Sequence, residues 1–152
     1  MSVETTTAGE GGAIREGEER GATEQVRLAK VRTTVLVVED DPESLEVLIE
    51  LLGQWGYRPV AAGSAEEAQV EACRRPFAAA VVDVFLPGQN GASLIAVLRE
   101  RYPGTLLIAV SGQGDPAMAR HCKGVGADLF MGKPLRPEDL AEALRGRHLT
   151  WH

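Results

Sequence analysis

From Thr33 onward the chain alternates, five times in strict order, between a short apolar run and a segment whose apolar residues recur at helical spacing. Thr34–Val38 (TVLVV) is apolar throughout instead of alternating in and out, the pattern of a strand covered on both faces. In the segment that follows, Leu45, Leu48, Ile49, Leu52 and Trp55 form one stripe. Asp41 can cap this helix with Pro42 at its first position, and Gly56 ends it. YRPVAA is a weaker strand whose Pro59 points to a sheet edge. It leads into SAEEAQVEACRR, where Ser64 and Glu67 have capping-box spacing. FAAAVVD and TLLIAVS are the third and fourth strands, separated by a helix with Leu94, Val97 and Leu98 on one face. DPAMARHCKGVG, poor in large apolar residues, is expected to be the least firmly packed helix. ADLFMGK is a short fifth strand, and RPEDLAEALRG a last helix with Leu140 and Leu144 inward.

Five such units predict an α/β fold, a doubly wound five-stranded parallel sheet with helices on both faces. Right-handed crossovers leave few topologies, and the order 2-1-3-4-5 suits five strands. In that order the chain reverses direction between strands 1 and 3, and ligands bind beyond their carboxyl ends.

Residues 1–33 differ in kind. They are rich in Gly, Thr and Glu and nearly devoid of large apolar side chains, so a disordered tail is expected there. The domain is expected over residues 34–147, with a short C-terminal tail at 148–152. A net charge of −6 argues against a nucleic-acid surface. No apolar run approaches a membrane span or a signal-peptide core, which leaves the cytoplasm as the expected compartment. Cys73 and Cys122 have no metal-ligand spacing and read as reduced thiols filling space. His121, His148 and His152 carry no pattern of their own, and Trp151 has no assigned role.

The strand ends carry the chemistry. Strand 1 runs into Glu39, Asp40 and Asp41, strand 3 ends in Asp83, strand 4 in Ser111, and strand 5 runs into Lys133. Strands 1 and 3 are expected neighbours, so their acids meet at the point of reversal. Carboxylates ~4–5 Å apart repel by about 3–4 kcal/mol per pair at an effective dielectric near 20, so the cluster must take up a proton or a cation. An open, oxygen-only site suits Mg²⁺, and the absence of His and Cys disfavours zinc. Divalent cation, carboxylate, hydroxyl and ammonium together can hold a phosphoryl group, with Asp83 as nucleophile and Ser111 donating to the new phosphoryl oxygen.

With VLVVEDD, VVDVFLPGQNG, AVSG and GADLFMGKP in this order, the stretch from Thr34 to Arg147 resembles the receiver domain of bacterial two-component response regulators, which has a flavodoxin-like sheet. The resemblance implies that a histidine kinase or a phosphotransfer protein donates a phosphoryl group to Asp83, and that the domain assists its own phosphorylation and dephosphorylation without being an enzyme in its own right. It further implies Mg²⁺ held by Asp40 and Asp83, by Glu39 largely through water, and by the backbone carbonyl of Phe85. Ser111 becomes the switch hydroxyl, Phe130 the switch aromatic in place of the commoner Tyr, and Lys133–Pro134 a pair usually joined by a cis bond. Phe85 and Gln113, two residues past the acceptor and the switch hydroxyl, occupy positions that influence dephosphorylation.

The chain stops just after its fifth helix, so a stand-alone receiver acting through protein contacts is expected. Its partner surface is expected on helix 4, strand 5 and helix 5, serving a downstream target or a homodimer. Two other readings compete. An aspartyl-phosphate phosphatase on a similar sheet would place a second Asp two residues past the nucleophile, where Phe85 stands. A receiver-like binding module independent of phosphorylation is disfavoured by the intact acids, hydroxyl and lysine.

Overall fold

The computed structural model describes residues 33–112 and 116–146. Apart from Thr33, the expected tails lie outside the described residues, as do Gln113, Asp115, His148, Trp151 and His152. Five strands, β1 (Thr34–Val38), β2 (Arg58–Ala62), β3 (Ala79–Asp83), β4 (Leu106–Ser111) and β5 (Leu129–Gly132), alternate with five helices. These are α1 (Pro42–Gln54), α2 (Ala65–Arg74), α3 (Gly91–Arg101), α4 (Pro116–Gly124) and α5 (Pro137–Gly146). All four strand pairings are parallel and the order is β2-β1-β3-β4-β5.

The continuous apolar runs follow from burial on both sides. Leu36, Val38, Ala80, Val82, Leu107 and Ala109 face a core closed by α2, α3 and Cys122 of α4. The intervening Val35, Val37, Val81, Ile108 and Val110 face a second core closed by Leu48 and Leu52 of α1 and Leu140 and Leu144 of α5. Burying side chains of this size contributes roughly 1.5–3 kcal/mol each, and here that gain accrues on both faces of one sheet. β2, with Pro59, lies at the edge.

Local details depart from expectation in small ways. In α3 the buried large apolar residues are Leu94, Ile95 and Leu98, while Val97 is half-buried. Ser64 caps α2 by accepting from the Glu67 N–H, but the Glu67 carboxylate accepts from Gly63 N–H at 2.6 Å instead of closing a box on Ser64. Cys122 fills core space as expected; Cys73 does not, being exposed with its Sγ 3.8 Å from the Tyr102 hydroxyl. Cys122 is the one buried residue of α4, in keeping with a loosely packed helix.

Arg99, in the last turn of α3, ties three segments together at the sheet end away from Asp83. Its guanidinium donates to the carbonyls of Gly126 (2.9 Å), Pro103 (2.8 Å) and Thr105 (3.0 Å) and to Asp128 Oδ2 (2.6 Å). Asp128 Oδ2 also accepts the Leu107 N–H at 2.8 Å. Arg99→Ala removes the donor from all four acceptors, so a loss of about 2 kcal/mol in unfolding free energy is expected in urea melts, whereas Arg101→Ala, on the exposed side, leaves it within about 0.5 kcal/mol.

Candidate functional site

Parallel register determines what meets at the carboxyl end of the sheet. Val38 lies beside Val82, so Glu39 and Asp83 come next on adjacent strands. Glu39 remains tied to the sheet, its N–H donating to Ala62 O at 3.0 Å. On the other side Asp83 lies beside Val110, which brings Ser111 to the same rim. The Lys133 N–H donates to Ser111 O at 2.9 Å, so the lysine emerges beside the serine. The Lys133–Pro134 peptide bond is cis.

The three consecutive acids after β1 separate by role. Asp41 turns to α1, accepting from the Ser44 N–H at 3.0 Å and the Ser44 hydroxyl at 2.8 Å. These bonds hold its carboxyl below the ordinary carboxylate range. Glu39 is buried and Asp40 exposed, and one ligand oxygen from each joins one from Asp83 in a group lying within 4.8 Å of one another. Asp83 is buried as well.

Lys133 reaches into this cluster. Its Nζ donates to Glu39 Oε1 at 2.9 Å and to Asp83 Oδ2 at 3.1 Å. The remaining oxygens receive backbone donors: Asp41 N–H to Glu39 Oε2 at 3.1 Å and Phe85 N–H to Asp83 Oδ1 at 3.0 Å. Burial pushes the Glu39 carboxyl above its ordinary pKa, with the Lys133 and Asp41 hydrogen bonds pulling the other way. Burial also works against the Lys133 ammonium, but the hydrogen bonds it donates to Glu39 and Asp83 outweigh it and the pKa lies above the usual lysine value.

One ammonium therefore faces three carboxylates, and the cluster is short of positive charge. Its donors are all oxygens and exposed Asp40 leaves one side open to water, which fits a hard divalent cation that keeps part of its hydration. Ser111 is fully buried at the rim. Phe130 is half-buried on β5, beside Ala109 of β4. The Phe85 side chain is 47% exposed. Apart from Phe130, which lies within β5, the expected site residues thus lie at the carboxyl end of the sheet. Contact joins Glu39, Asp83 and Lys133, with Asp40 completing the acid group, while Phe130 sits one strand further out.

The tight turn after Asp83 is part of the site. Gly91 N–H donates to Val84 O at 2.7 Å, and Asn90 caps α3 by accepting the Ser93 N–H at 2.8 Å. Gly91 makes a close approach to the backbone of Asp83.

Comparison with known proteins agrees with this fold. The family profile of the response regulator receiver domain matches residues 35–145. The photosynthetic apparatus regulatory protein RegA of Cereibacter sphaeroides is 33% identical over 111 residues, which cover 73% of this chain and 60% of RegA. The transcriptional regulatory protein AruR of Pseudomonas aeruginosa is 36% identical over 113 residues, covering 70% of this chain and 45% of AruR. The chain thus spans less than two thirds of these relatives. Among solved structures, a CheY-like receiver domain from Methanospirillum hungatei superposes with a TM-score of 0.73 at 28% identity, covering 76% of this chain and 93% of the other.

Proposed function

Because the chain belongs to the response regulator receiver domain family, we propose that it accepts a phosphoryl group on Asp83 and thereby switches its protein contacts. Receiver domains of two-component systems interact with histidine kinases and with downstream targets; here the donor is a histidine kinase or a phosphotransfer protein. The observation that carries this reading is the grouping of Glu39, Asp40 and Asp83 oxygens within 4.8 Å, with Lys133 bonded to two of the three.

Glu39, Asp40, Asp83 and the backbone carbonyl of Phe85 would hold Mg²⁺. When bound, the ion offsets charge on the phosphoryl oxygens. Asp83 Oδ attacks phosphorus while the bond from phosphorus to the donor group breaks, its electron pair leaving with the donor. The Phe85 N–H at Asp83 Oδ1 orients the carboxylate, and burial keeps water from competing with it. Lys133, now bonded to Asp83 Oδ2, transfers its hydrogen bond to the incoming phosphoryl group. Ser111 donates to a phosphoryl oxygen that exists only in the modified state, a contact that distinguishes the two states as a switch requires. Phe130 follows Ser111, and α4, held through one buried residue, is the element freest to respond. The output surface is then α4, β5 and α5, for a target protein or a second copy. A phosphatase reading is disfavoured because Phe85 offers no second carboxylate.

Incubation with Mg²⁺ and acetyl phosphate is expected to add the mass of one phosphoryl group, and EDTA or Asp83→Asn to abolish the gain. Undiminished labelling of Asp83→Asn removes the assignment, and steady phosphoester turnover favours the phosphatase. The bulky Phe85 beside the phosphoryl group hinders an attacking water, so Phe85→Asn, which removes that bulk, is expected to shorten the lifetime of the aspartyl phosphate about tenfold, the equivalent of about 1.4 kcal/mol in the barrier. Equal decay of the two phosphoproteins, followed by intact mass, contradicts that role.

A further inference from the structure

The carboxylate–lysine centre opens sideways into a cavity of about 610 Å³ between α1 and the segment following β5. That volume falls within the roughly 300–1,000 Å³ of small-molecule sites. Glu39, Asp83 and Lys133 form its inner end. Its walls are mostly apolar: Val47, Leu48 and Leu51 from α1, with Pro134 and Leu135 opposite. Val47 is 56% exposed, an apolar side chain held at the mouth. Asp41 and Glu43 supply negative charge at the start of α1.

The transfer chemistry needs only the inner end, where a phosphoryl group sits between Asp83 and Lys133. The apolar walls lie where they can contact what is attached to that group. We propose that this cavity holds the leaving group when a small phosphodonor is used, and that among small donors the preferred one is an acyl phosphate with an uncharged branched or aromatic acyl group. This rests on Asp83 being the phospho-acceptor. In the step, an Asp83 carboxylate oxygen attacks phosphorus, the bond from phosphorus to the acyl oxygen breaks, and its electron pair departs with the acyl group as a free carboxylate. One mixed anhydride replaces another and no proton moves. Asp41 and Glu43 disfavour a leaving group that carries a second carboxylate.

The test uses the full chain with Mg²⁺ and equal concentrations of acetyl, isobutyryl, benzoyl and succinyl phosphate, with initial labelling of Asp83 read by intact mass. A buried methylene strengthens binding roughly fourfold, so isobutyryl and benzoyl phosphate are expected to react about tenfold faster than acetyl phosphate, and succinyl phosphate no faster. Val47→Glu, at an exposed helical position, is expected to bring the isobutyryl-to-acetyl ratio close to one. Binding gives a second readout. Benzoylphosphonate, whose phosphorus–carbon bond prevents transfer, is expected to shift the amide resonances of Val47, Leu51 and Leu135 and to bind about tenfold more tightly than acetylphosphonate. Equal rates for all donors while acetyl phosphate still labels Asp83 overturn the leaving-group pocket and leave the phospho-acceptor reading intact. A ratio unchanged in Val47→Glu also overturns it. Failure of every donor to label Asp83 sinks the phospho-acceptor reading, and the pocket with it.

Discussion

Lys133→Met is expected to slow phosphorylation of Asp83 by acetyl phosphate at least about a hundredfold, the ordinary cost of removing one preorganised charge partner from a transition state. The ammonium is already placed 3.1 Å from the attacking carboxylate, so the wild-type chain has little to reorganise when the phosphoryl group arrives. Methionine keeps much of the length of the side chain and loses the charge, which separates electrostatics from packing. The same substitution has a second consequence in the absence of divalent ion. Glu39 and Asp83, both buried, lose their common ammonium and face each other uncompensated. Breaking a buried pair costs about 3–5 kcal/mol, and the 30% exposure of the Lys133 side chain lowers the expectation here to about 2 kcal/mol. Mg²⁺ should therefore raise the melting temperature of the variant more than that of the wild type. The pH dependence has a definite sign. The folded-state pKa of Lys133 is raised, so its stabilising contribution is complete below the unfolded lysine value of about 10.4 and is lost as pH rises through the folded value. The stability gap between wild type and variant should thus narrow as pH rises into the strongly alkaline range. A variant labelled at the wild-type rate, with unaltered melting, contradicts the role given to Lys133.

The site was legible because a parallel sheet converts linear position into spatial position. Once continuous apolar runs identify strands covered on both faces, the residue after each run must emerge on one rim, and Glu39, Asp83, Ser111 and Lys133 all do. Which of three consecutive acids turn inward is harder to read. Cap geometry decides it, since Asp41 precedes Pro42 and is engaged by Ser44. What stayed hidden depends on partners distant in sequence. Arg99 in the last turn of an amphipathic helix reads as a solvated charge until Gly126 and Asp128 arrive beside it. The choice of Ile95 over Val97 as a core residue reflects the rotation of α3 against the sheet, because both flank the Leu94–Leu98 line at helical spacing. Cys73 was expected inside because thiols are often buried, yet its position on α2 faces outward. The cavity beside α1 is the space two elements fail to fill, and no periodicity records a gap.

Gly91→Ala is expected to destabilise the fold by about 3 kcal/mol and to impair phosphorylation at the same time. Alanine is the better helix former by about 1 kcal/mol, so propensity alone predicts the opposite sign. Contact decides the matter. A Cβ on Gly91 would overlap the carbonyl oxygen of Asp83 and lie 2.8 Å from Val84 Cα and 2.9 Å from Asp83 C. Those are backbone atoms of β3 and its exit, held by hydrogen bonds from Val84 N–H to Val110 O and from Gly91 N–H to Val84 O, so no side chain can swing aside. Overpacking of a rigid site costs about 1–3 kcal/mol, and backbone overlap belongs at the upper end. The displaced residue is Asp83 itself, so any relaxation moves the acceptor carboxylate relative to Lys133. Gly88 provides the control. It has φ of 83° but nothing within 4 Å of an added Cβ, so Gly88→Ala should cost only the roughly 1–2 kcal/mol of left-handed backbone and leave the labelling rate near wild type. Urea melts and acetyl phosphate labelling of the two variants separate the cases. A neutral Gly91→Ala would show that the turn after β3 absorbs the overlap, and a Gly88→Ala equally defective in labelling would show that strain anywhere in the turn, and not contact with Asp83, impairs the site.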